Sequence, residues 1–557
     1  MRSRAWFDTP EYYGFSRRAW LRSEGFSSAV FDGRPIIGIC NSWSELTNCN
    51  VNLRPMAEAV KRGVWMAGGF PLEFPVMSLA EMLMKPTAML FRNLMSMEVE
   101  ESIRAHPLDA VMLLAGCDKT TPAMLMGAAS ADVPAMLLTS GPMLAGDWHG
   151  RKLGAGTDGR KLFDLYRAGE VTDQEMAEVE CALGRSAGHC TVMGTASTMA
   201  ILSEALGMSP TGSAAIPAPD SRRLAMAEEA GRRIVDLAKE DLKPSRILTR
   251  GAFDNALRVQ MAIGGSTNAV IHLLAIAGRA GVPLTLDDFD RISRSTPWLV
   301  NLKPSGDYLM EDFFSAGGVP AVMRELLPDL DGTALNVSGL TLQACVGEAR
   351  CYNREVIREF RSPLASEGGT AILYGNLAPD GAVIKPTAAS PELLQHRGRA
   401  FVFESRSELM SQIDDEDLPV DANTILVMKS GGPRGGPGMP EWGQIPLPKK
   451  MIRQGVRDMV RISDARMSGT SFGTVVLHMT PESAVGGPLA LVETGDEIVL
   501  DVAGRRIDLL VSDAELSERR QNWKAPSPAY NRGYGKLFLE HVEQANLGCD
   551  FDFLKPR

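Results

Sequence analysis

Up to about Ser366 the chain alternates short apolar runs with helical stretches; beyond it, brief β-rich runs follow one another between Gly, Asp and Asn turns. This change of texture constrains the fold most. Alternating strands and helices build a layered α/β sheet, whereas successive short strands close into a sandwich or barrel. Leu108–Gly116, LDAVMLLAG, is apolar enough for a buried strand. CDKTTPAMLMGAAS follows it, with Thr120 or Thr121 placed to cap a helix and Pro122 in its first turn. VPAMLLTSGP repeats the strand-then-glycine pattern, and Thr191–Leu206 reads as a helix stopped by Gly207. GGTAILYGN, GAVIK, RGRAFVFES, NTILVMKS and DEIVLDVAGRRIDLLVS read as the later strands. At 557 residues the chain is too long for one core. The expectation is a large N-terminal α/β domain over residues 1–365 and a smaller β-barrel-like domain over residues 366–557.

The 58 basic residues against 68 acidic give a net charge of −10, and no basic stripe offsets it, which argues against a nucleic-acid partner. The opening MRSRAWFDTPEYYGFSRRAW is too polar and aromatic for a signal peptide. No apolar run approaches the ~20 residues that span a bilayer, so the expected location is cytoplasmic. Eight cysteines in such a chain argue against a disulfide framework, and neither CxxC nor a zinc-type Cys/His spacing occurs.

Cys40, Cys181, Cys345, Cys351 and Cys549 lie in apolar or mixed sequence and read as core or surface thiols. Cys49, Cys117 and Cys190 each lie on a loop feeding a helix start, where backbone N–H groups and the helix dipole favour a thiolate. Three such loops can converge on one cluster. Asp118 directly follows one of these cysteines, and Glu81 and Glu441 lie in other loops. Carboxylates suit a hard cation such as Mg²⁺, whose octahedron water and substrate complete; each acid alone would read as a solvated charge. Glu441 sits in SGGPRGGPGMPEWGQIPLP, too rich in Gly and Pro for a helix or central strand. That loop lacks the Lys-Ser/Thr of a P-loop, which disfavours a nucleotide-binding reading.

The segments ICNSWSELTNCN, GCDKTTPAML, TSGPML, GHCTVMGTASTM, GGSTNAVIHLL, YGNLAPDGAVIK, GGPRGGPGMPE and DARMSGTSFG run in order from about Ile36 to beyond Gly473. Together they resemble the dihydroxyacid/phosphogluconate dehydratase family. The resemblance implies an iron–sulfur cluster on Cys49, Cys117 and Cys190, and Mg²⁺ on Glu81, Asp118 and Glu441 with a carbamylated Lys119 as a further ligand. It implies Ser468 as the catalytic base, Ser140 and Thr470 as substrate contacts, and a homodimer or homotetramer. In such chemistry a base removes the C2 proton of a 2,3-dihydroxy acid and the C3 hydroxyl departs. Three thiolates leave one iron open as a Lewis acid, and Mg²⁺ steadies the charge on the carboxylate and C2 oxygen. A serine base needs activation by nearby positive charge. The enol then becomes a 2-keto-3-deoxy acid.

Branched-chain members of the family continue the glycine-rich loop as GPGMREML, whereas this chain reads GPGMPEWGQIPLP. With GPMLAGDWHGRKLGAGTDGRKLFD, this resembles the sugar-acid branch and implies an aldonate such as arabinonate, xylonate or galactonate. The same branch implies a [2Fe–2S] cluster, although three cysteines alone suit [4Fe–4S] equally. The alternatives are a branched-chain dihydroxyacid dehydratase and a non-catalytic iron–sulfur electron carrier or sensor. A carrier saturates its cluster and needs no carboxylate site, so the acids count against it.

Overall fold

The computed structural model describes residues 1–556. Strands β1 (Ile36–Asn41), β2 (Phe70–Pro75), β3 (Ala110–Ala115) and β4 (Ala135–Thr139) form a parallel sheet in the order β2-β1-β3-β4. β1, β3 and β4 are buried along their whole length, as parallel strands covered by helices on both faces are. The register pairs Asn41 with Leu114 and Ala115 with Thr139, so the loops after β1, β3 and β4 leave the same edge of the sheet. In open α/β sheets that carboxyl edge is where ligands bind.

A hairpin, β5 (Gly146–Trp148) and β6 (Arg151–Leu153), and a run of helices from Thr157 to Val346 follow. The remaining strands are β7 (Ala371–Gly375), β8 (Ala378–Ile384), β9 (Gln395–Phe403), β10 (Ile425–Met428), β11 (Arg461–Ser463), β12 (Val475–Leu477), β13 (Glu497–Asp501) and β14 (Arg506–Leu509). They close a mixed barrel in the order β10-β11-β12-β8-β7-β14-β13-β9. The fold is therefore α/β with a C-terminal barrel. After it the chain returns: the helix Gly533–His541 and the residues up to Phe551 pack against Met89 and Leu90. Among the described residues no helix is long and apolar enough to cross a membrane.

Two local expectations change. The helix expected from Thr191 begins at Thr195, because Met193 donates its N–H to the carbonyl of Lys303 at 2.8 Å and leaves the segment irregular. Thr120 opens the helix Thr120–Ala131 without capping it. Its hydroxyl instead accepts the N–H of Cys117 at 2.9 Å and donates to the Cys117 carbonyl at 2.9 Å, fixing the turn that carries the cysteine.

Candidate active site

The carboxyl edge of the sheet gathers the cysteines. Cys49 lies in the 3₁₀ turn Asn48–Asn50, Cys117 two residues past β3, and Cys190 on the irregular stretch before the helix Thr195–Ala205. Gly116 makes the approach feasible: a Cβ there would lie 2.3 Å from the carbonyl oxygen of Cys49 and 2.2 Å from Ser140 Oγ. The thiols of Cys117 and Cys190 lie close enough to Cys49 to act on its ionisation. The adjacent Cys117 thiol, burial and the Cys117, Cys190 and Asp118 charges hold the Cys49 thiol well above its ordinary range. Burial, then the Asp118 and Cys117 charges, push Cys190 up to about 12. Thus burial and crowding raise both of these thiols. Thiols that repel one another's ionisation fit a strongly positive centre, which coordinates them as thiolates. The remaining cysteines are scattered: Cys40 and Cys549 are buried elsewhere and Cys181 is exposed.

Beside the thiols, Glu81, Asp118 and Glu441 place carboxylate oxygens within 4.8 Å of one another. Lys119, with no solvent exposure, sets its Nζ 2.5 Å from Asp118, 3.4 Å from Glu81 and 3.9 Å from Glu441. Burial and Glu81 push the Glu441 carboxyl up; burial alone would do the same to Asp118, but Lys119 holds it below its ordinary value. Glu81 Oε2 is buried and, among the described residues, accepts no hydrogen bond; it lies within ionic reach of Lys119. Three converging carboxylates, one with a free oxygen, fit a hard divalent cation.

The residues that hold this trio escaped the reading of the sequence. Arg466, fully buried, donates through Nη1 to Glu441 Oε1 at 3.2 Å, through Nε to the Met439 carbonyl at 2.7 Å and through Nη2 to Thr87 Oγ1 at 3.1 Å. Thr87 passes its own proton to Glu81 Oε1 at 2.6 Å. Asn268 donates to Glu441 Oε1 at 3.0 Å. One guanidinium fork thus sets two of the three acids. Arg466 lies two residues before Ser468, and Asn268 lies just before the apolar run AVIHLL, so their place beside motif residues was the available signal.

The glycine-rich loop does not cradle a phosphate. The carboxylate of Glu482 fills it, accepting the N–H of Arg434 at 3.0 Å and of Gly435 at 2.9 Å. The loop serves to present Glu441.

The cysteines, the three acids, Ser468 and Thr470 line one cavity of about 1070 Å³. Ser468 Oγ lies 3.0 Å from Thr470 Oγ1, its one side-chain partner among the described residues. Thr157 donates to the Thr470 carbonyl at 2.8 Å, tying the helix Thr157–Ala168 to the serine turn. Ser140 is fully buried against Gly116, beside Cys49, and is not among the residues that line the cavity. His189 is buried behind Cys190, its Nδ1 3.2 Å from the Cys190 carbonyl, and burial lowers its pKa to about 4.

Two family descriptions match the chain: dihydroxy-acid/6-phosphogluconate dehydratase N-terminal over residues 34–345, and the C-terminal counterpart over residues 355–549. The chain belongs to this family. It is a dehydratase, and its relatives include members of the sugar-acid branch. An L-arabonate dehydratase of Azospirillum brasilense is 55% identical over 565 residues, covering 100% of this chain and 97% of that protein. An L-arabinonate dehydratase of Rhizobium leguminosarum bv. trifolii (strain WSM2304) is 54% identical over 557 residues, covering 100% and 96%. A dihydroxy-acid dehydratase of Moorella thermoacetica (strain ATCC 39073 / JCM 9320) is 41% identical over 544 residues, covering 96% and 97%.

Proposed function

We propose that this dehydratase eliminates water from a 2,3-dihydroxy sugar acid, an aldonate, to give a 2-keto-3-deoxy acid. The observation that carries the reading is the meeting of three thiols, three carboxylates and Ser468 in one cavity. Cys49, Cys117 and Cys190 would hold an iron–sulfur cluster, which we take as [2Fe–2S] rather than [4Fe–4S]; Glu81, Asp118 and Glu441 would hold Mg²⁺. When bound, these supply a Lewis-acidic iron for the C3 hydroxyl and a dication for the carboxylate and C2 oxygen.

Around them the chain's own groups divide the work. Ser468 Oγ takes the C2 proton, with Thr470 orienting its hydroxyl. The electron pair of the C2–H bond forms the C2–C3 double bond as the C3–O bond breaks. The departing hydroxide takes the proton back from Ser468, leaves as water and restores the serine base, and the enol tautomerises to the 2-keto-3-deoxy acid. The fork of Arg466 keeps Glu441 and Glu81 at their places while charge develops. Lys119 sits where an ammonium competes with a dication. Carbamylation of its amine would turn that competitor into a ligand.

The higher identity to the L-arabonate and L-arabinonate dehydratases than to the dihydroxy-acid dehydratase supports an aldonate over a branched-chain acid. The helix Tyr12–Ser23 exposes Tyr12, Tyr13, Phe15 and Trp20, which supports a homodimer or homotetramer. Turnover of anaerobically purified enzyme against arabinonate, xylonate, galactonate and a branched 2,3-dihydroxy acid tests the reading. Aldonates should yield 2-keto acid at the higher kcat/KM; preference for the branched acid would reverse it.

A further inference from the structure

Segments that carry the acid site meet in one apolar cluster. Leu90 follows Thr87, Ile271 follows Asn268 and Met439 precedes Glu441; the end of the chain contributes Phe538, Val542 and Phe551. None of the three site cysteines belongs to this cluster.

Met439 is the pivot. Its backbone has φ of 54°, a left-handed conformation that is costly for a residue with a side chain. Its side chain has no exposure within the cluster, and its carbonyl accepts Arg466 Nε. A strained residue two positions before Glu441 persists only where its surroundings over-determine it. The terminal segment does so from several sides. Gln544 donates to Glu482 Oε1 at 2.8 Å and accepts the N–H of Glu482 at 2.9 Å, and Glu482 is the carboxylate inside the glycine-rich loop. Tyr534 donates to the Leu90 carbonyl at 2.7 Å. Arg92 donates to the carbonyls of Gly548 and Cys549, both at 2.9 Å, and Asp550 pairs with Arg279 without exposure of either side chain.

We propose that the segment Gly533–Phe551 is a positioning element of the divalent-metal site. It holds Met439 in its left-handed conformation and the glycine-rich loop around Glu482, and so places Glu441 and Arg466. The inference rests on Glu81, Asp118 and Glu441 being the metal ligands.

The test uses the full-length enzyme with its cluster, with Mn²⁺ as the probe, read by the electron paramagnetic resonance of the free ion, beside iron content and melting temperature. Phe551→Ala and Gln544→Ala should weaken Mn²⁺ binding about 10- to 100-fold, the range for groups that orient metal ligands. Iron should stay at the wild-type level, and Phe551→Leu should bind Mn²⁺ as wild type does. Should Phe551→Ala fail to fold, Gln544→Ala, at a half-buried residue, carries the test. Unchanged Mn²⁺ affinity in the folded variants overturns the proposal, as does a parallel loss of iron, which would mark general loosening. Glu441→Ala separates the premise: if it binds Mn²⁺ as wild type does, the ligand assignment itself is wrong.

Discussion

Arg466 meets Glu441 at 3.2 Å from a position without solvent exposure, and the same guanidinium reaches Thr87 and, through it, Glu81. Its planar fork is what a lysine cannot reproduce. Arg466→Lys should raise the Mg²⁺ concentration for half-maximal activity about 10- to 100-fold while keeping the cluster's visible spectrum. An unshifted Mg²⁺ dependence would show that the fork does not organise the acids.

Cys49→Ser, Cys117→Ser and Cys190→Ser should each strongly reduce bound iron and the brown colour, because these thiols meet at one edge of the sheet. Cys345→Ser and Cys351→Ser, at sites away from the cavity lining, should keep both. Wild-type iron and sulfide in any of the first three removes that residue from the ligand set.

Chelating the divalent metal should stop turnover and leave the visible spectrum largely intact, since carboxylates and thiolates sort hard and soft metals into separate sites. Activity that survives verified removal of magnesium would dismiss the Glu81, Asp118 and Glu441 site.

Ser468→Ala should lower kcat by about 10²- to 10⁴-fold or more with smaller change in KM, and leave metal contents normal. Deuterium exchange at C2 isolates the proton step. If the variant exchanges as fast as wild type, another group is the base.

His478 is buried beside Arg466, and among the described residues neither ring nitrogen has a hydrogen-bond partner. Burial, then the Arg466 charge, lowers its pKa from 6.5 to about 3. Between those values the unfolded chain binds the proton more readily, so this residue's share of stability falls as pH drops from 6.5 toward 3. His478→Asn, which tolerates the residue's left-handed φ of 56°, should remove that loss. Urea unfolding should show the variant gaining about 2 kcal/mol on wild type between pH 7.5 and 5. Parallel pH curves would mean that His478 titrates normally.

Much of the cavity wall was legible because its residues sit in loops directly after apolar strands. LDAVMLLAG announces β3, and the residues that follow carry Cys117 and Asp118. The barrel's longer strands were legible too, but β11 and β12, three residues each, are too short to leave a periodic signature. The Arg466–Thr87 bond was out of reach for a different reason. It joins positions 379 residues apart, and no local pattern encodes which distant hydroxyl a buried guanidinium will find. Thr120 misled for a local reason: its hydroxyl is taken up by the backbone of Cys117, so a good capping residue serves the turn instead.

The acid trio draws two members from the first part of the chain and one, Glu441, from the barrel, whereas the thiols all precede residue 191. On a ribosome, which releases the N-terminal part first, the cysteines emerge long before Glu441, Arg466 or the closing segment exists. The two centres therefore have different birth dates within one chain. The thiols can meet while the barrel is still being made, whereas the acid trio is complete only once Glu441 has been added.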